Sequence, residues 1–375
     1  MSSTTTAAAA TTKLKFQQIV PSPAAGISPL PRSSHGLSII KNGSYIVLYG
    51  GEHVARTPIH DDNQSLWLAA KKQHNNTTND EQWQWIVPTI ITSDRPSARV
   101  AHAQASVGDT IYIFGGRDGI NMGENAMNDM WMLQIVDGGD DDNGEVKVKW
   151  TQIHDDEEYH MNRNVPQARS FHKMIAVGTD IYMFGGCGSK GRLNDLWKFD
   201  TITNMWRCLG TSHLLKGRGG PNILSLSNGT KIGIVAGFAG EETNDGHVYD
   251  ISKLVWEEKG MEGGGLSNMR PRSVCCFASL SNKCIIFGGE VDPSQKGHEG
   301  AGGFENDVVV LDGIDGSILE IIKQPDDDKD IEWPGPRGWS DATVHGDTFY
   351  IFGGLAGDDT SPVRLGDLWQ CKVTR

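Results

Sequence analysis

Apolar residues along this chain gather into short runs that end on a pair of small residues, and the same run returns six times. YIVLYGG ends at Gly51, IYIFGG at Gly116, IYMFGG at Gly186, GIVAG at Gly237, CIIFGG at Gly289 and YIFGG at Gly354. A continuous stretch such as Ile111, Tyr112, Ile113 and Phe114 predicts an inner strand buried on both faces. The glycines behind it predict a sharp turn against neighbouring backbone, where φ is positive or a Cβ would clash. Successive runs end 65, 70, 51, 52 and 65 residues apart, so the chain is a stack of one supersecondary unit.

Each copy carries further marks. An arginine stands 16 or 18 residues before the small pair, at Arg32, Arg99, Arg169, Arg218, Arg272 and Arg337. An Asn-Asp or Gly-Asp step follows, then a strand and a tryptophan, as in NDMWML with Trp150, NDLWKFD with Trp206 and NDGHVYD with Trp256. The aspartate is expected to accept backbone N–H groups at the re-entry turn, and the tryptophans to pack between adjacent units. This unit resembles the Kelch repeat. The resemblance implies an all-β fold, a six-bladed β-propeller over residues 13–375, with blades near 32–87, 99–153, 169–209, 218–259, 272–323 and 337–375.

The last copy stops after one strand near Leu368, without a fourth strand or its tryptophan. LKFQQIV at the other end is the expected replacement, with Phe16 in the aromatic position. A ring closed by strands from both termini has no exposed sheet edges. Residues 1–12, rich in Ser, Thr and Ala, read as a disordered tail.

A net charge of −13, with acidic stretches at 140–142, 155–158 and 326–330, argues against nucleic acid or an anionic membrane as partner. There is no run of 18 apolar residues and no signal-peptide core, so a cytoplasmic protein, with a nuclear pool allowed, is expected. The six cysteines show no CxxC pair and read as reduced packing residues. The Asn-X-Ser/Thr matches at Asn42, Asn75, Asn76 and Asn228 are then expected to stay unmodified.

Candidate chemistry concentrates after the fifth Gly-Gly. There the chain inserts EVDPSQKGHEGAGGFE, offering Glu290, Asp292 and His298, with Glu299 and Glu305 nearby. Carboxylates with one imidazole suit Fe(II), Mn(II) or Zn(II); a solvated loop stiffened by Pro293 is the plainer alternative. By contrast, His35, His102 and His172 each follow the repeat arginine by three residues, which marks them as blade architecture.

FGGEVDPSQKGHEGAGGFENDVVVLD and PGPRGWSD together resemble the nitrile-specifier, epithiospecifier and thiocyanate-forming branch of Kelch proteins. That resemblance implies a small sulfur-containing, glucosinolate-aglycone-like substrate and an Fe(II) held by a Glu-x3-Asp-x3-His motif. Glu290 and His298 match its ends, while Ser294 stands in the middle position, so either Asp292 moves in, Glu299 substitutes, or the iron site is weak or absent. It also implies that Arg99 and Arg169, at the starts of their strands, hold a sulfate leaving group bidentately; pairing with neighbouring backbone is the alternative. Trp339 would wall the mouth or pack beneath it. The competing function is a non-catalytic scaffold that docks a protein partner on the loop-rich face. With only the short tail outside the repeats, no BTB domain is expected.

Overall fold

The computed structural model describes residues 11–23, 26–60, 62–72, 81–120, 124–138, 145–155, 164–325 and 331–374, excepting the side chains of 62, 63, 137, 138, 262 and 298. The first ten residues of the tail, Asn75, Asn76, the acidic stretches 140–142 and 326–330, and residues 156–158 lie outside the described residues. The rest forms six sheets of four strands, one of them widened to five.

Blade one contains Gly36–Ile40, Tyr45–Tyr49, Leu66–Lys71 and Trp83–Ile86. In blade two, Ala103–Val107, Thr110–Phe114, Met130–Gly138 and Val146–His154 are joined at the outer edge by Thr89–Ile90. Blades three and four repeat the order with Lys173–Val177, Asp180–Phe184, Asp195–Asp200 and Met205–Thr211, then Asn222–Leu226, Lys231–Phe238, Glu242–Asp250 and Val255–Trp256. Cys276–Ser279, Lys283–Phe287, Val308–Asp312 and Ile318–Ile322 form blade five. Blade six takes Asp341–His345, Thr348–Gly357 and Pro362–Thr374, and its outermost strand is the N-terminal Lys13–Ile19, with Phe16 opposite Cys371. Phe16 is buried and meets the Trp333 ring edge-on at 4.6 Å.

The apolar runs occupy the second strand of each blade, one removed from the axis, an inner strand with a neighbour on either side. Both faces of a second strand are covered by the flanking blades, which is what a continuous apolar run requires. The innermost strands line the channel and lie each against the next, with Gly36–Ile40 touching both Ala103–Val107 and Asp341–His345 to close the circle. They carry polar residues because side chains of one blade serve the backbone of its neighbour. Leu37 N donates to Asp341, Ile39 N to Thr343 and Ser225 N to Ser279.

Closure is sealed by a ring of backbone hydrogen bonds around the axis. Two residues after each repeat arginine stand Ser34, Ala101, Phe171, Gly220, Val274 and Trp339, all in the left-handed region with φ from 47° to 59°. Each donates its N–H to the carbonyl of the one before, at 2.8–3.0 Å, and Ser34 N completes the ring on Trp339 O. One short polar ring therefore joins all six repeats.

The repeat arginines rivet each blade. Arg99 pairs bidentately with Asp129, Arg169 with Asp195, Arg218 with Asp245, Arg272 with Asp307 and Arg337 with Asp367. The aspartate was expected to serve backbone amides; its chief partners are this guanidinium and, in three blades, the indole two residues on, at 2.6 Å from Trp131, Trp197 and Trp369. Blade one departs: Arg32 is satisfied by the carbonyls of Leu30, Gly50 and Gln64. The late tryptophans bridge blades as anticipated, Trp150 against Tyr49, Trp206 against Phe114 and Trp256 against Phe184.

Candidate functional site

The residue after each small pair bridges the residue after each repeat arginine: Glu52 with Ser33, Arg117 with Val100, Cys187 with Ser170, Phe238 with Gly219, Glu290 with Ser273 and Leu355 with Gly338. These bridges stand on the mouth side of the hydrogen-bonded ring. Arg117, Cys187, Phe238 and Glu290 line one pocket of about 190 Å³, with Phe171 and Trp339 from the ring below and Arg192 and Ser294 from the loops. Phe171 and Trp339 come from opposite blades and meet edge-on with centroids 5.3 Å apart. They form the floor and stop the channel on its axis.

The pocket sets two guanidiniums against one carboxyl. Arg117 is 2% exposed and sits 5.0 Å over the Phe171 ring; Arg192 sits 4.6 Å over Phe238. Such stacking keeps a guanidinium planar and presented while its face is dry. Glu290 is buried, and burial pushes its carboxyl up to about 7, although backbone N–H groups of Ser294 and Gly302 favour the ionised form. Behind it, burial and then the Glu290 charge push Glu242 up to about 8, with Ser273 Oγ donating to it at 3.1 Å. Burial also raises the Cys187 thiol, against the pull of Arg192 and Arg117.

The blade-five insertion folds back over this mouth, where Pro293, Ser294 and Gly297 line the pocket, but it separates Glu290 from Asp292 and Glu299. Glu290–Asp292 pairs with Gly303–Phe304, and a bulge between Glu290 and Asp292 turns the second carboxylate outward. Asp292 is exposed and bonded to Arg270 at 2.7 Å. Ser294 hydrogen-bonds Asp359 of blade six, which also accepts Gln295 N, and so fastens the insertion. Glu299 lies toward solvent, 3.8 Å from Arg56. His298 stands in the turn Gly297–Glu299, and its ring lies outside the described side chains. Among the described residues no group of three or more His, Cys, Asp or Glu is arranged to hold a metal ion, so the donors on view supply one inward carboxylate and do not complete a site.

Arg99 and Arg169 do not reach the mouth. Both are fully buried inside their blades. Arg99 spends all five N–H groups on Ser97 O, Ser97 Oγ, Gly115 O and the two oxygens of Asp129. Arg169 makes four corresponding bonds, to Gln167 O, Gly185 O and the two oxygens of Asp195. Their partners are an aspartate and carbonyls of their own blade, so the role is structural, though the backbone of the next blade takes no part in these bonds. The guanidiniums at the mouth are Arg117 and Arg192, which motif reasoning missed; Arg117 could have been found as the one arginine immediately following a small pair. Trp339 walls the mouth as well as packing.

Six four-stranded sheets in a closed ring, with arginine-aspartate rivets, define a repeat-built β-propeller. The chain belongs to the Kelch-repeat family, and the KLHDC2/KLHL20/DRC7 Kelch-repeats domain matches residues 69–289. It is 29% identical over 308 residues to the N-(sulfonatooxy)prop-2-enimidothioate sulfolyase of Thlaspi arvense, covering 76% of this chain and 78% of that protein. Human host cell factor 1 is 27% identical over 226 residues, 56% of this chain but only 10% of that much longer protein. The solved structure of YjhT superposes with a TM-score of 0.56 at 16% identity, covering 93% of this chain and 98% of that one, a likeness of fold alone. No helix among the described residues is long and apolar enough to cross a membrane.

Proposed function

We propose that the mouth pocket binds a small organic anion bearing sulfur and assists departure of its sulfate without net redox change. The observation that carries this reading is the pair Arg117 and Arg192, each stacked on an aromatic ring, lining one largely apolar pocket with the single carboxyl of Glu290. Two planar guanidiniums match the oxygens of a sulfonatooxy group and favour the charge that grows on them as the bond to sulfate breaks. Phe171, Phe238 and Trp339 supply an apolar bed for the remainder of the molecule. Glu290, poised near neutrality, can hold a proton close to the reacting group. The name of the Thlaspi arvense relative, a sulfolyase acting on a sulfonatooxy imidothioate, supports this class of substrate.

Fe(II) would act here as a Lewis acid toward sulfur, and it would require His298 to join Glu290, since Asp292 is committed to Arg270. The test is sulfate release from a sulfonatooxy imidothioate by the purified chain, with and without Fe(II), set beside Arg117→Met and Arg192→Met. Loss of release in both variants, with unchanged unfolding midpoints, supports the reading. Release that persists in both sinks it. Binding of the anion without turnover would instead favour the non-catalytic scaffold, a role in keeping with the match to the host cell factor Kelch region.

A further inference from the structure

We propose that residues 293–300 of the blade-five insertion form a lid over the mouth pocket, latched to blade six by Asp359, and that a ligand enters only when this latch releases. The lid would regulate the pocket described above and rests on the reading of that pocket as a ligand site; its opening is a separate property of the chain. Pro293, Ser294 and Gly297 of the lid line the pocket together with Arg117, Cys187 and Trp339. With the lid down the pocket holds about 190 Å³, short of the roughly 300–1,000 Å³ usual for organic ligands. Entry therefore calls for movement of the wall.

Three consecutive residues of the lid receive Asp359. Ser294 Oγ donates to its Oδ1, Gln295 N to its Oδ2 at 3.1 Å, and Lys296 Nζ to its carbonyl oxygen at 2.5 Å. Ser294 Oγ also accepts Lys296 N at 3.0 Å, which folds the three into one turn. Gly300 completes the cradle, because a Cβ there would overlap Asp359 Oδ1 and Ser294 Oγ. A carboxylate at 294, which the Glu-x3-Asp-x3-His pattern wants, would repel Asp359. The serine in its place makes the position a donor to a carboxylate from another blade.

Little else among the described residues ties the lid to the rest of the propeller. None of the side chains described from Pro293 to Glu299 is buried. The nearest buried ones, Val291 and Ala301, stand at its base, where Glu290–Asp292 pairs with Gly303–Phe304. Ser294 N donates to the Glu290 carboxyl, a bond within the insertion itself. Arg56 and Glu299 lie 3.8 Å apart with Glu299 66% exposed, and such surface pairs contribute little. A segment without buried apolar contacts opens far more often than the sheets beneath it, so the Asp359 bonds are the main restraint on its opening.

Cys187 reports the opening, since it lies in the pocket wall and is 6% exposed. The full chain carrying Cys208→Ser, which removes the exposed cysteine, is treated with iodoacetamide, and the labelled residue is located by peptide mass. Asp359→Ala should speed labelling of Cys187 by roughly tenfold or more, as befits the loss of hydrogen bonds to a charged group. Gly300→Ala, which forces Asp359 from its cradle, should act in the same direction. Glu299→Ala should change the rate by less than about twofold. Cys275, Cys276, Cys284 and Cys371, buried within the blades, should stay unlabelled throughout. Unchanged labelling in Asp359→Ala, equal acceleration in Glu299→Ala, or labelling of the four blade cysteines in step with Cys187 would each overturn the lid. No sulfonatooxy compound enters this measurement, so the lid and the sulfate-release reading stand or fall separately.

Discussion

Phe171 and Trp339 stand on opposite blades, meet on the propeller axis with their rings at 83°, and both hold φ in the left-handed region, at 57° and 59°. A side chain in that region carries roughly 1–2 kcal/mol of strain, and the hydrogen-bonded ring keeps it there. Exchanging Trp339 for glycine thus removes an aromatic contact and relieves strain together. The net loss in urea unfolding should stay near 2 kcal/mol, below the 3–5 kcal/mol of about any buried Trp truncation. A loss above roughly 4 kcal/mol would mean that no strain is stored.

The same ring contains one glycine, and it is not interchangeable with its five counterparts. At Gly220 an added Cβ would come within 2.6 Å of Val274 Cγ1 and 2.9 Å of Val274 N. Ala101 holds the equivalent place in blade two with a similar φ. Gly220→Ala should therefore cost about 2 kcal/mol or more, while Ala101→Gly should be close to neutral. Equal effects at the two positions would show that clash, as distinct from φ, has no part in the difference.

Removing a rivet arginine should cost more where a carboxylate is left behind. Arg99→Met strands Asp129 inside blade two, for an expected loss of about 3–5 kcal/mol. Arg32→Met strands only carbonyls and should cost visibly less. Chemical unfolding of the two variants side by side checks the ranking; equal losses would argue that the carboxylate is solvated once its partner is gone.

The repeat, the strand that closes the ring and the aromatic positions were legible because each is written within one repeat or recurs six times. Phe16 is an example: it stands where the pattern of the last copy wants an aromatic. Side-chain pairings across the length of a blade or between blades were not legible. Arginine and aspartate of one rivet lie 26–35 residues apart, and each alone suggests other partners, hence the expectation that Arg99 and Arg169 face the channel. Glu290 was visible as the head of an unusual insertion. The outward turn of Asp292 depends on a bulge that no residue type announces, and Phe171 meets Trp339 only because blades three and six are diametrically opposed.

Glu290 and His298 are the residues of the insertion that would supply ligands to Fe(II). Fe(II) titration under anaerobic conditions should then show binding that Glu290→Gln and His298→Ala each weaken, by roughly tenfold or more. Equal affinity in both variants would remove the insertion as a metal arm, and the sulfate-binding arginines would have to act without it.

Glu242 gives a pH dependence of defined sign. Its carboxyl is held up to about 8 in the fold, chiefly by burial and then by the Glu290 charge, from an ordinary value of 4.5. Between those two values the folded chain holds a proton that the unfolded chain has released, so stability falls as pH rises through this window. Below about pH 4.5 both states are protonated and the group makes no difference. Glu242→Gln keeps the shape and the bond from Ser273 while removing the titration. The variant should match the parent near pH 5 and exceed it at pH 8, by about 1–2 kcal/mol once the partial exposure of the group is allowed for. Parallel stability curves for parent and variant from pH 5 to 8 would show that Glu242 is solvated and ionises freely beside Glu290.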